Sequence, residues 1–482
     1  MSSYVSIYGA PPPVEDRTIS AVPDDERYGD VRDLFTFWLG PNITMLAVVN
    51  GALATAVYGL PFWLAALGLA TGNLIGAAVL ALHSVQGAQV GLPQLVQTRA
   101  QFGSSGAIVV AACVAVISVG FLAVNLVLAG QSLNTLSSHI TVVAAIVGVA
   151  AVSALLAIFG YDVMHSAAWL LSWIGGVVLL LAFVWVIGAG HLAAGFWHSG
   201  QVSAVGFAGA VSVAVLWQIS YTPYAADFSR YLPAAPARRT FLASFLGASL
   251  GSIAAMLLGA IVGVQSSDVL GGFITLAHGS SIMVVGTFTV CLALASSVNV
   301  YGGAMSALTI GQAIAPRWQP RAGSRAMLAL IVAALAALGA VLGRSGFLIG
   351  FTNIVVLVAY VLVPWVAINL VGYFLIRAGR PTAEDRARGD HGDHGDHGDG
   401  ESGGRVRWAA VGCLLAGIAA EAPFVNTPAF TGRAATALGG ADVAWLVGGA
   451  VAAPLYYLVA RPRKRKIVAA VEPKITAAVA SQ

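Results

Sequence analysis

The sequence contains few charged residues. Asp, Glu, Lys and Arg account for 9% of its 482 residues, whereas a soluble domain carries about 25%. So few charges cannot cover a water-facing surface. Apolar residues make up 58% of the chain, and its mean hydropathy is +0.84. These values exclude an ordinary soluble protein and predict an integral membrane protein that is solvated mostly by lipid.

Cysteine is scarce as well. The chain has three, Cys113, Cys291 and Cys413, and each lies within an apolar run. Their spacing fits neither a disulfide framework nor a metal site, so we expect them to be inert packing residues. No basic-then-apolar segment with a cleavage site opens the chain, and a removable signal peptide is not expected.

Apolar stretches recur along the chain at a length that suits a bilayer, which a helix of about 20 residues crosses. They predict twelve membrane spans, at 34–58, 62–83, 106–130, 140–160, 166–189, 203–223, 241–264, 281–311, 326–343, 346–376, 408–420 and 443–460. We expect a polar segment over 1–33, a core of ten spans over 34–376, a His/Gly/Asp-rich loop over 377–407, two additional spans over 408–460 and a basic tail over 461–482.

Basic residues are divided unevenly between the predicted loops. With both termini on one side, 22 of the 24 Lys and Arg residues fall on that side, and only Arg344 and Arg433 fall on the other. Cytoplasmic loops carry the excess of Lys and Arg, so the division predicts a multi-pass protein of the plasma (inner) membrane with both termini in the cytoplasm. The His-Gly-Asp repeat at 391–399 is interpreted as a solvated linker rather than a weak metal sensor. The basic run at 461–466 is interpreted as an anchor for anionic lipid headgroups rather than a nucleic-acid site.

The predicted spans contain no Asp, Glu, Lys or Arg. Charges inside a membrane are typical of proton relays, ion pathways and sites for charged molecules. Their absence predicts that any molecule handled at mid-membrane is neutral and is held by hydrogen bonds and aromatic faces. The chain also has no His-Glu-x-x-His motif, which argues against an intramembrane metalloprotease.

Spans one and six each contain a proline beside polar residues within an apolar run. Gly40-Pro41 interrupts span one, and Thr222-Pro223 interrupts span six. Proline removes a backbone hydrogen bond and clashes with the preceding turn, so both spans are expected to be broken. A separation of five helices is typical of an inverted repeat of five spans, in which the broken helices meet at the midplane and expose backbone groups. The alternative is two ordinary proline kinks.

Few other polar residues lie within the spans. Phe121 and Asn125 are four residues apart in span three, so they share a helix face. Ser296 and Asn299, three residues apart in span eight, share a face in the same way. Taken singly, each polar residue is best explained by an interhelical hydrogen bond. As a group, aromatic rings beside amides in a charge-free interior favour a flat heterocycle, which stacks between rings and has hydrogen-bonding groups on its edge.

Three segments resemble those of a known family. They are Pro223-Tyr-Ala-Ala with Asp227-Phe-Ser-Arg-Tyr-Leu-Pro233 after span six, Gly91-Leu-Pro-Gln-Leu-Val-Gln-Thr-Arg-Ala-Gln-Phe-Gly103 after span two, and Val363-Pro-Trp-Val-Ala-Ile-Asn-Leu-Val-Gly372-Tyr-Phe-Leu-Ile-Arg377 at the end of span ten. They resemble the purine/cytosine permeases of the nucleobase–cation symporter family, over about Arg27 to Arg377. Gly372 is a departure, because relatives often carry Asp there.

The resemblance implies an all-α integral membrane protein with twelve transmembrane helices, in which a five-plus-five inverted repeat (LeuT-like) is followed by two extra helices. It implies a secondary active transporter that imports a neutral nucleobase, cytosine or a purine, by cation symport through alternating access. One alternative is a permease for another small heterocycle, such as allantoin, a hydantoin or a vitamin pyrimidine. Another, from a different class, is a non-transporting receptor or an intramembrane enzyme. Phe121 replaces a tryptophan of hydantoin-type relatives, which disfavours hydantoins.

By position, the resemblance implies substrate contacts from spans one, three, six and eight. The candidate residues are Trp38, Asn42, Phe121, Asn125, Trp217, Gln218, Tyr221 and Asn299, and the register within span six is open by a few residues. The expected partners are the nucleobase and membrane lipid. No cofactor, nucleic acid or obligatory protein partner is expected, and no metal beyond a coupling ion.

The coupling ion is Na⁺ or H⁺, and two alignments of span eight separate them. In sodium-coupled relatives carbonyl groups of the broken span one and two hydroxyls of span eight form the site, which implies Gly40, Ile43, Ser296 and Ser297 here. The alignment that places Asn299 at the substrate removes those hydroxyls, as in proton-coupled relatives. Asp227 is then the acid near the path. The charge-free interior favours Na⁺.

Overall fold

The computed structural model is almost entirely helical, and it describes residues 14–188, 192, 195–233, 236–266, 268, 271–272, 281–343, 360–376, 406–427 and 430–460. The helices within these ranges are α1 Val31–Leu39, α2 Met45–Ala52, α3 Phe62–Val90, α4 Gln94–Leu136, α5 Val142–Phe159, α6 Tyr161–Gly188, α7 Ala204–Ile219, α8 Thr222–Ser229, α9 Ala237–Gln265, α10 Ser281–Ile314, α11 Ala322–Gly343, α12 Tyr360–Ile376, α13 Trp408–Glu421, α14 Arg433–Ala437 and α15 Ala444–Ala460. Two short strands, β1 Asn426–Thr427 and β2 Phe430–Thr431, pair antiparallel. The start of predicted span ten, the His-Gly-Asp repeat and the basic tail lie outside the described residues.

The described helices follow the predicted spans in number and order. Eight apolar segments are long enough to cross a membrane, and the bent pair α1 and α2 makes a ninth when it is counted as one span. Three shorter apolar helices, α12, α13 and α15, lie at predicted spans ten, eleven and twelve. Large apolar side chains such as Leu180 and Val184 are exposed on the outer faces, as contact with lipid requires. The predicted all-α membrane architecture is confirmed.

Span one is broken at the predicted residues. A 3₁₀ turn at Gly40–Asn42 separates α1 from α2, and the two halves are bent by 62°. Pro41 has no N–H with which to continue the helix. Thr44 begins the second half as an N-cap, because its Oγ1 accepts a hydrogen bond from Ala47 N at 3.3 Å. The break thus satisfies one of its own backbone N–H groups inside the bilayer, where water cannot.

The interruption of span six is shallower. Only residues 220–221 separate α7 from α8, and the pair forms one apolar segment without the sharp bend of span one. Pro223 lies in the first turn of α8 and lacks the N–H that would pair with Ile219 O. The Thr222 hydroxyl donates to that carbonyl instead, at 2.7 Å. A side chain therefore replaces the missing backbone bond, and the helix continues with little change of direction.

The ten core spans include two groups of four that pack among themselves. The first bundle, as we name it, consists of α1–α2, α3, α7–α8 and α9, which are spans one, two, six and seven. The second bundle consists of α4, α5, α10 and α11, which are spans three, four, eight and nine. Each bundle takes the same two consecutive spans from each set of five, as an inverted repeat requires. The fifth span, α6, contacts helices of both bundles.

Glycine lets helices of the first bundle approach closely. A Cβ added at Gly72 in α3 would overlap Val211 O in α7, and one at Gly259 in α9 would overlap Val48 O in α2. Small residues at such contacts are typical of membrane helices, whose association depends on close packing. This packing requires glycine at Gly72 and Gly259.

Candidate functional site

Three helices from the two bundles meet at one contact. The Tyr224 hydroxyl of α8 lies 2.6 Å from the Ser118 hydroxyl of α4. A Cβ added at Gly302 of α10 would overlap the Tyr224 ring. A Cβ added at the neighbouring Gly303 would lie 3.3 Å from Ser118 Cβ. Spans three, six and eight therefore converge here, and the contact fixes the depth of the residues around it.

The predicted substrate residues lie on the next turns of the same three helices. α4 runs antiparallel to α8 and α10. With increasing distance from the side of the membrane on which α1 begins, residue numbers therefore increase along α4 and decrease along α8 and α10. One turn from the contact, about 5.4 Å along each helix axis, are Phe121, Tyr221 and Asn299. Two turns away are Asn125 and Trp217. The structure thus brings five predicted residues to neighbouring depths between the bundles.

Aromatic rings join span one to span six. The ring centroids of Trp38 and Tyr221 are 5.9 Å apart at an interplanar angle of 69°, and those of Trp217 and Tyr221 are 5.7 Å apart at 83°. Edge-to-face pairs of this kind attract because the edge of one ring meets the electron-rich face of the other. The Tyr221 hydroxyl also donates to Pro41 O at 3.5 Å. Tyr221 therefore links the interruption of span six to the break in span one.

Asn42 holds this aromatic group in place. Its Oδ1 accepts from Trp217 Nε1 at 2.7 Å and from the Ser252 hydroxyl at 2.6 Å. Its Nδ2 donates to Trp38 O at 2.6 Å, where the broken helix leaves a carbonyl to satisfy. The side chain is fully buried. Because both ends of its amide bind the protein, Asn42 positions Trp217 and the broken turn.

Gln218 faces the other side of span six. Its Nε2 donates to Asn73 Oδ1 at 3.0 Å and lies 2.7 Å from Ser252 Oγ. These partners belong to α3 and α9, so Gln218 packs inside the first bundle. Of the three residues that the sequence leaves open in span six, Trp217 and Tyr221 lie with span one, and Gln218 does not.

The predicted carbonyl ligands of the ion lie where span one meets α6 and α10. A Cβ added at Gly40 would lie 3.0 Å from Ser172 Oγ of α6 and 3.5 Å from Leu294 Cδ2 of α10. A Cβ added at Gly175 of α6 would lie 3.5 Å from Ile43 Cγ2. The break of span one is therefore enclosed by the fifth and eighth spans.

The two predicted hydroxyl ligands differ in their partners. Ser297 Oγ donates to Leu294 O at 2.7 Å, whereas Ser296 Oγ is buried and has no hydrogen-bond partner in the protein. One turn away, Ala293 O accepts from the Ser153 hydroxyl of α5 at 3.0 Å. The Ser296 hydroxyl thus has no partner in the protein, and the Ser297 oxygen keeps its lone pairs because it acts only as a donor to Leu294 O.

Three other predicted site residues carry a buried polar atom without a partner. They are Trp38, through Nε1, Asn125, through Oδ1, and Gln218, through Oε1, although Gln218 packs inside the first bundle. Such a group costs about 1–3 kcal/mol while it is unmet. A buried donor and a buried acceptor suit the edge of a neutral heterocycle, and a buried hydroxyl oxygen such as that of Ser296 suits a hard cation. The residues present therefore fit both predicted ligands.

Asp227, the candidate proton carrier, lies on α8 toward the side on which α1 begins. It is buried, and its Oδ1 accepts from Gln94 N at the start of α4, at 2.7 Å. This bond fastens the connection between α3 and α4 to the end of α8. Sequence reasoning missed the supporting residues Ser118, Tyr224 and Ser252, for which the only signal was a polar group within an apolar run.

The architecture matches solved transporter structures. The closed structure of Mhp1, a nucleobase-cation-symport-1 family transporter with bromovinylhydantoin bound, is similar with a TM-score of 0.73 at 16% identity, over 92% of this chain and 94% of that one. The inward-facing structure of Mhp1 has a TM-score of 0.67 at 18% identity, over 93% and 94%. A Na⁺-coupled sialic acid symporter has a TM-score of 0.60 at 11% identity, over 88% of each chain. This chain shares the fold of these multi-helix membrane proteins.

Sequence comparison specifies the family. A family model described as a permease for cytosine/purines, uracil, thiamine and allantoin matches residues 21–448, and the chain belongs to this family. The predicted resemblance is confirmed, as is the choice of a transporter over an enzyme. Similar proteins include the putative purine-cytosine permease YxlA of Bacillus subtilis, 36% identical over 466 residues, 94% of this chain and 97% of that protein. Purine-cytosine permease FCY2 of Saccharomyces cerevisiae is 24% identical over 389 residues, 75% and 71% of the two.

Proposed function

We propose that this permease imports a neutral nucleobase, cytosine or a purine, together with a cation. The observation that carries the proposal is the buried donor Trp38 Nε1 and the buried acceptor Asn125 Oδ1, both without partners, in spans whose aromatic middle has no charged residue. A nucleobase offers flat faces for stacking and both donors and acceptors on its edge. Similarity to purine-cytosine permeases supports the same class of substrate.

In this proposal the substrate lies between the two bundles. Its ring stacks among Phe121, Trp217 and Tyr221. Its edge hydrogen-bonds to Trp38 Nε1, Asn125 and Asn299. Residues from both bundles then contact one molecule. This arrangement supports alternating access, because rocking one bundle against the other opens a central site to one side at a time.

We propose Na⁺ as the coupling ion. The ligands are two carbonyl oxygens of span one and two hydroxyls of α10, from Gly40, Ile43, Ser296 and Ser297. A group of several neutral oxygen ligands suits a hard cation. The unpartnered Ser296 hydroxyl supports the choice of Na⁺. The alternative is proton coupling through Asp227.

We also propose where the permease is located in the cell and which substrates are the alternative to cytosine and purines. The excess of Lys and Arg on the side of the termini supports a plasma-membrane protein with both termini in the cytoplasm. Uracil, thiamine and allantoin, which the family description names, are the alternative small rings.

Uptake of radiolabelled cytosine and hypoxanthine tests these assignments. Cells that lack their own permeases are compared with and without external sodium at a fixed pH. We expect saturable uptake that collapses without sodium. Uptake that is indifferent to sodium but stops with a protonophore would replace Na⁺ by H⁺. No uptake of either base would overturn the substrate and move the assignment to another ring.

Asn125→Ala tests the site itself. We expect uptake to fall by about tenfold or more, because the substrate edge loses a buried hydrogen bond. Asn134→Ala is the matched control, since Asn134 lies at the exposed end of the same helix and donates to Ile140 O at 2.9 Å. The amount of protein in the membrane is measured for both variants. Equal uptake by the two would remove Asn125 from the site.

A further inference from the structure

The segment before α1 is polar in composition, yet several of its side chains are buried. Residues 14–28, which we name the N-terminal strap, cross the ends of helices from both bundles on the side where α1 begins. Val22 N donates to Gly91 O at 3.0 Å, and Thr18 Oγ1 donates to Pro320 O at 2.9 Å. The buried strap residues include Glu15, Thr18, Ile19, Val22 and Arg27.

Four side chains enclose the carboxylate of Glu15. Its Oε1 accepts from Arg230 Nη2 at 2.7 Å, from the Tyr231 hydroxyl at 2.6 Å and from the Tyr301 hydroxyl at 2.9 Å. Its Oε2 lies 3.2 Å from Arg325 Nη1. Both arginines are fully buried. Glu15 is thus a single buried anion between two buried cations.

These partners come from both bundles. Arg230 follows α8 of the first bundle, whereas Tyr301 in α10 and Arg325 in α11 belong to the second. Arg230 also donates to Arg17 O of the strap at 2.6 Å. Arg325 donates to Glu15 O at 2.7 Å. One carboxylate and its backbone therefore tie together two groups of helices that alternating access separates on this side.

A column of aromatic rings fills the space between Glu15 and the proposed substrate site. The ring centroids of Tyr301 and Phe228 are 5.4 Å apart, and those of Phe228 and Phe37 are 4.1 Å apart. Phe37 in turn lies 5.2 Å from Trp38, at the site. The rings come from α1, α8 and α10, so a path from the site to this side opens only when these helices part.

Two further acids near the cluster bind elsewhere. Asp162 of α6 accepts from the Tyr28 hydroxyl at 2.8 Å, and Asp227 accepts from Gln94 N. Within the described residues, Glu15 is the carboxylate in ion pairs with both Arg230 and Arg325. Removing its charge would leave two buried guanidinium groups that repel each other.

We propose that Glu15 is the latch of the cytoplasmic gate. While it holds Arg230 and Arg325 together, the aromatic column stays closed and substrate cannot leave toward the cytoplasm. When the transporter opens inward, Glu15 separates from either Arg230 or Arg325. The role of the latch in transport rests on the proposed function and orientation. The opening that the latch controls is a conformational change, which can be measured without substrate.

The accessibility of a thiol at Ser172 measures the opening. The Ser172 hydroxyl of α6 donates to Thr36 O of α1 at 2.5 Å, so the position is hidden while α1 lies on α6 and is uncovered when they part. Ser172→Cys is placed in a chain whose three native cysteines are alanine, and the purified protein in nanodiscs is treated with a maleimide. We expect Glu15→Gln to raise the labelling rate by about fivefold or more, because a typical coupling free energy changes the ratio of closed to open protein by at least that factor.

Two controls separate a latch from general loosening. Glu26→Gln removes an exposed ion pair with Arg17 in the same strap, and we expect it to leave the rate unchanged. Ser153→Cys, buried between α5 and α10 of the second bundle, should keep its rate in the presence of Glu15→Gln. An equal rise at both cysteines, or no rise at Ser172→Cys, overturns the latch.

Tyr301→Phe provides a second variant if Glu15→Gln does not fold. It removes one of the hydrogen bonds to Glu15 and keeps the ring, so we expect a smaller rise in the labelling of Ser172→Cys. No rise would again overturn the proposal. Because labelling needs no substrate, an error in the proposed nucleobase would show in uptake alone and would leave these rates unaffected.

Discussion

Asn42 and Asn125 are both buried amides in the middle of the membrane, yet they differ in what they bind. Both ends of the Asn42 amide are paired within the protein, with Trp217, Ser252 and the Trp38 carbonyl. The Asn125 carbonyl oxygen has no partner. A paired amide stabilises a fold, whereas an unpaired one gains most from a ligand. We therefore assign support to Asn42 and substrate recognition to Asn125.

Gly302→Ala tests the three-helix contact beneath the site. The added Cβ would overlap the Tyr224 ring, so the ring must move and its hydrogen bond to Ser118 is lost. Overpacking of this kind costs about 1–3 kcal/mol of unfolding free energy, and we expect uptake to fall as well. The measurements are the unfolding midpoint of the purified protein and nucleobase uptake.

Gly286→Ala is the matched control for that variant. It lies on the same helix, but an added Cβ meets no atom within 4 Å. We expect it to be neutral or more stable by about 0.5–1 kcal/mol, because glycine within a helix loses more backbone entropy than alanine. Equal stability of the two variants would contradict the close approach of α10 to Tyr224.

At the scale of helices, the break in span one leaves backbone groups without hydrogen bonds. In the membrane this costs free energy that a break in water would not cost. The first N–H groups of α2 have no partner within the helix, and the bilayer offers no water to them. Thr44 satisfies one of these groups through its hydrogen bond to Ala47 N. A cap in this position should therefore be worth more than a cap at an exposed helix end.

Thr44→Val tests this difference, because valine keeps the shape of threonine and removes the hydroxyl. We expect a loss of about 2 kcal/mol in unfolding free energy, at the upper end for N-caps, and a fall in uptake. Thr141→Val is the comparison, since the Thr141 hydroxyl caps α5 at an exposed end through Ala144 N, at 3.2 Å. There we expect a loss of about 0.5 kcal/mol, since water can replace the hydroxyl. Equal losses in chemical unfolding would refute the role of the bilayer.

At the scale of the whole molecule, the N-terminal strap joins the two bundles through Glu15. Burial alone would raise the pKa of this carboxyl group. The positive charges of Arg325 and Arg230 outweigh burial and hold the pKa below its ordinary value of 4.5. The groups around Arg230, which are Tyr231, Tyr301 and Glu15, raise its pKa despite its burial. Glu15 and Arg230 are therefore both charged at neutral pH.

The pKa of Glu15 predicts how stability depends on pH. A carboxyl group with a lowered pKa in the folded state stabilises the protein fully above its unfolded pKa, and this contribution is lost as the pH falls through the folded pKa. We expect the difference in unfolding temperature between wild type and Glu15→Gln to be constant from about pH 8 to pH 5.5 and to shrink below about pH 4.5.

The titratable neighbours of Glu15 are the same in both proteins. The groups that face it or its arginines are Tyr231, Tyr301, Asp162, His165 and Asp227, and all are retained in Glu15→Gln. A difference that already shrinks between about pH 7 and pH 5.5 would contradict a lowered pKa.

Local properties of the chain were enough to predict the membrane class, the spans and their breaks. About 20 apolar residues define a span by themselves. A proline breaks a helix through the N–H that it lacks, so its effect is confined to one turn. Pro41 and Pro223 therefore marked both interruptions, although the depth of each differs. The order of three motifs was enough to predict the family, which the matched residues 21–448 confirm.

Only the tertiary structure decided which face of each span is used and where the N-terminal strap lies. Trp217 and Gln218 are neighbours in sequence and both are buried, but span one covers the first and α3 and α9 cover the second. Glu15 is buried because two arginines, 215 and 310 residues away in the chain, neutralise it, and the second of them, Arg325, also donates to its backbone carbonyl. Contacts between residues so far apart leave no local pattern, because they depend on how the bundles pack rather than on composition or helical period.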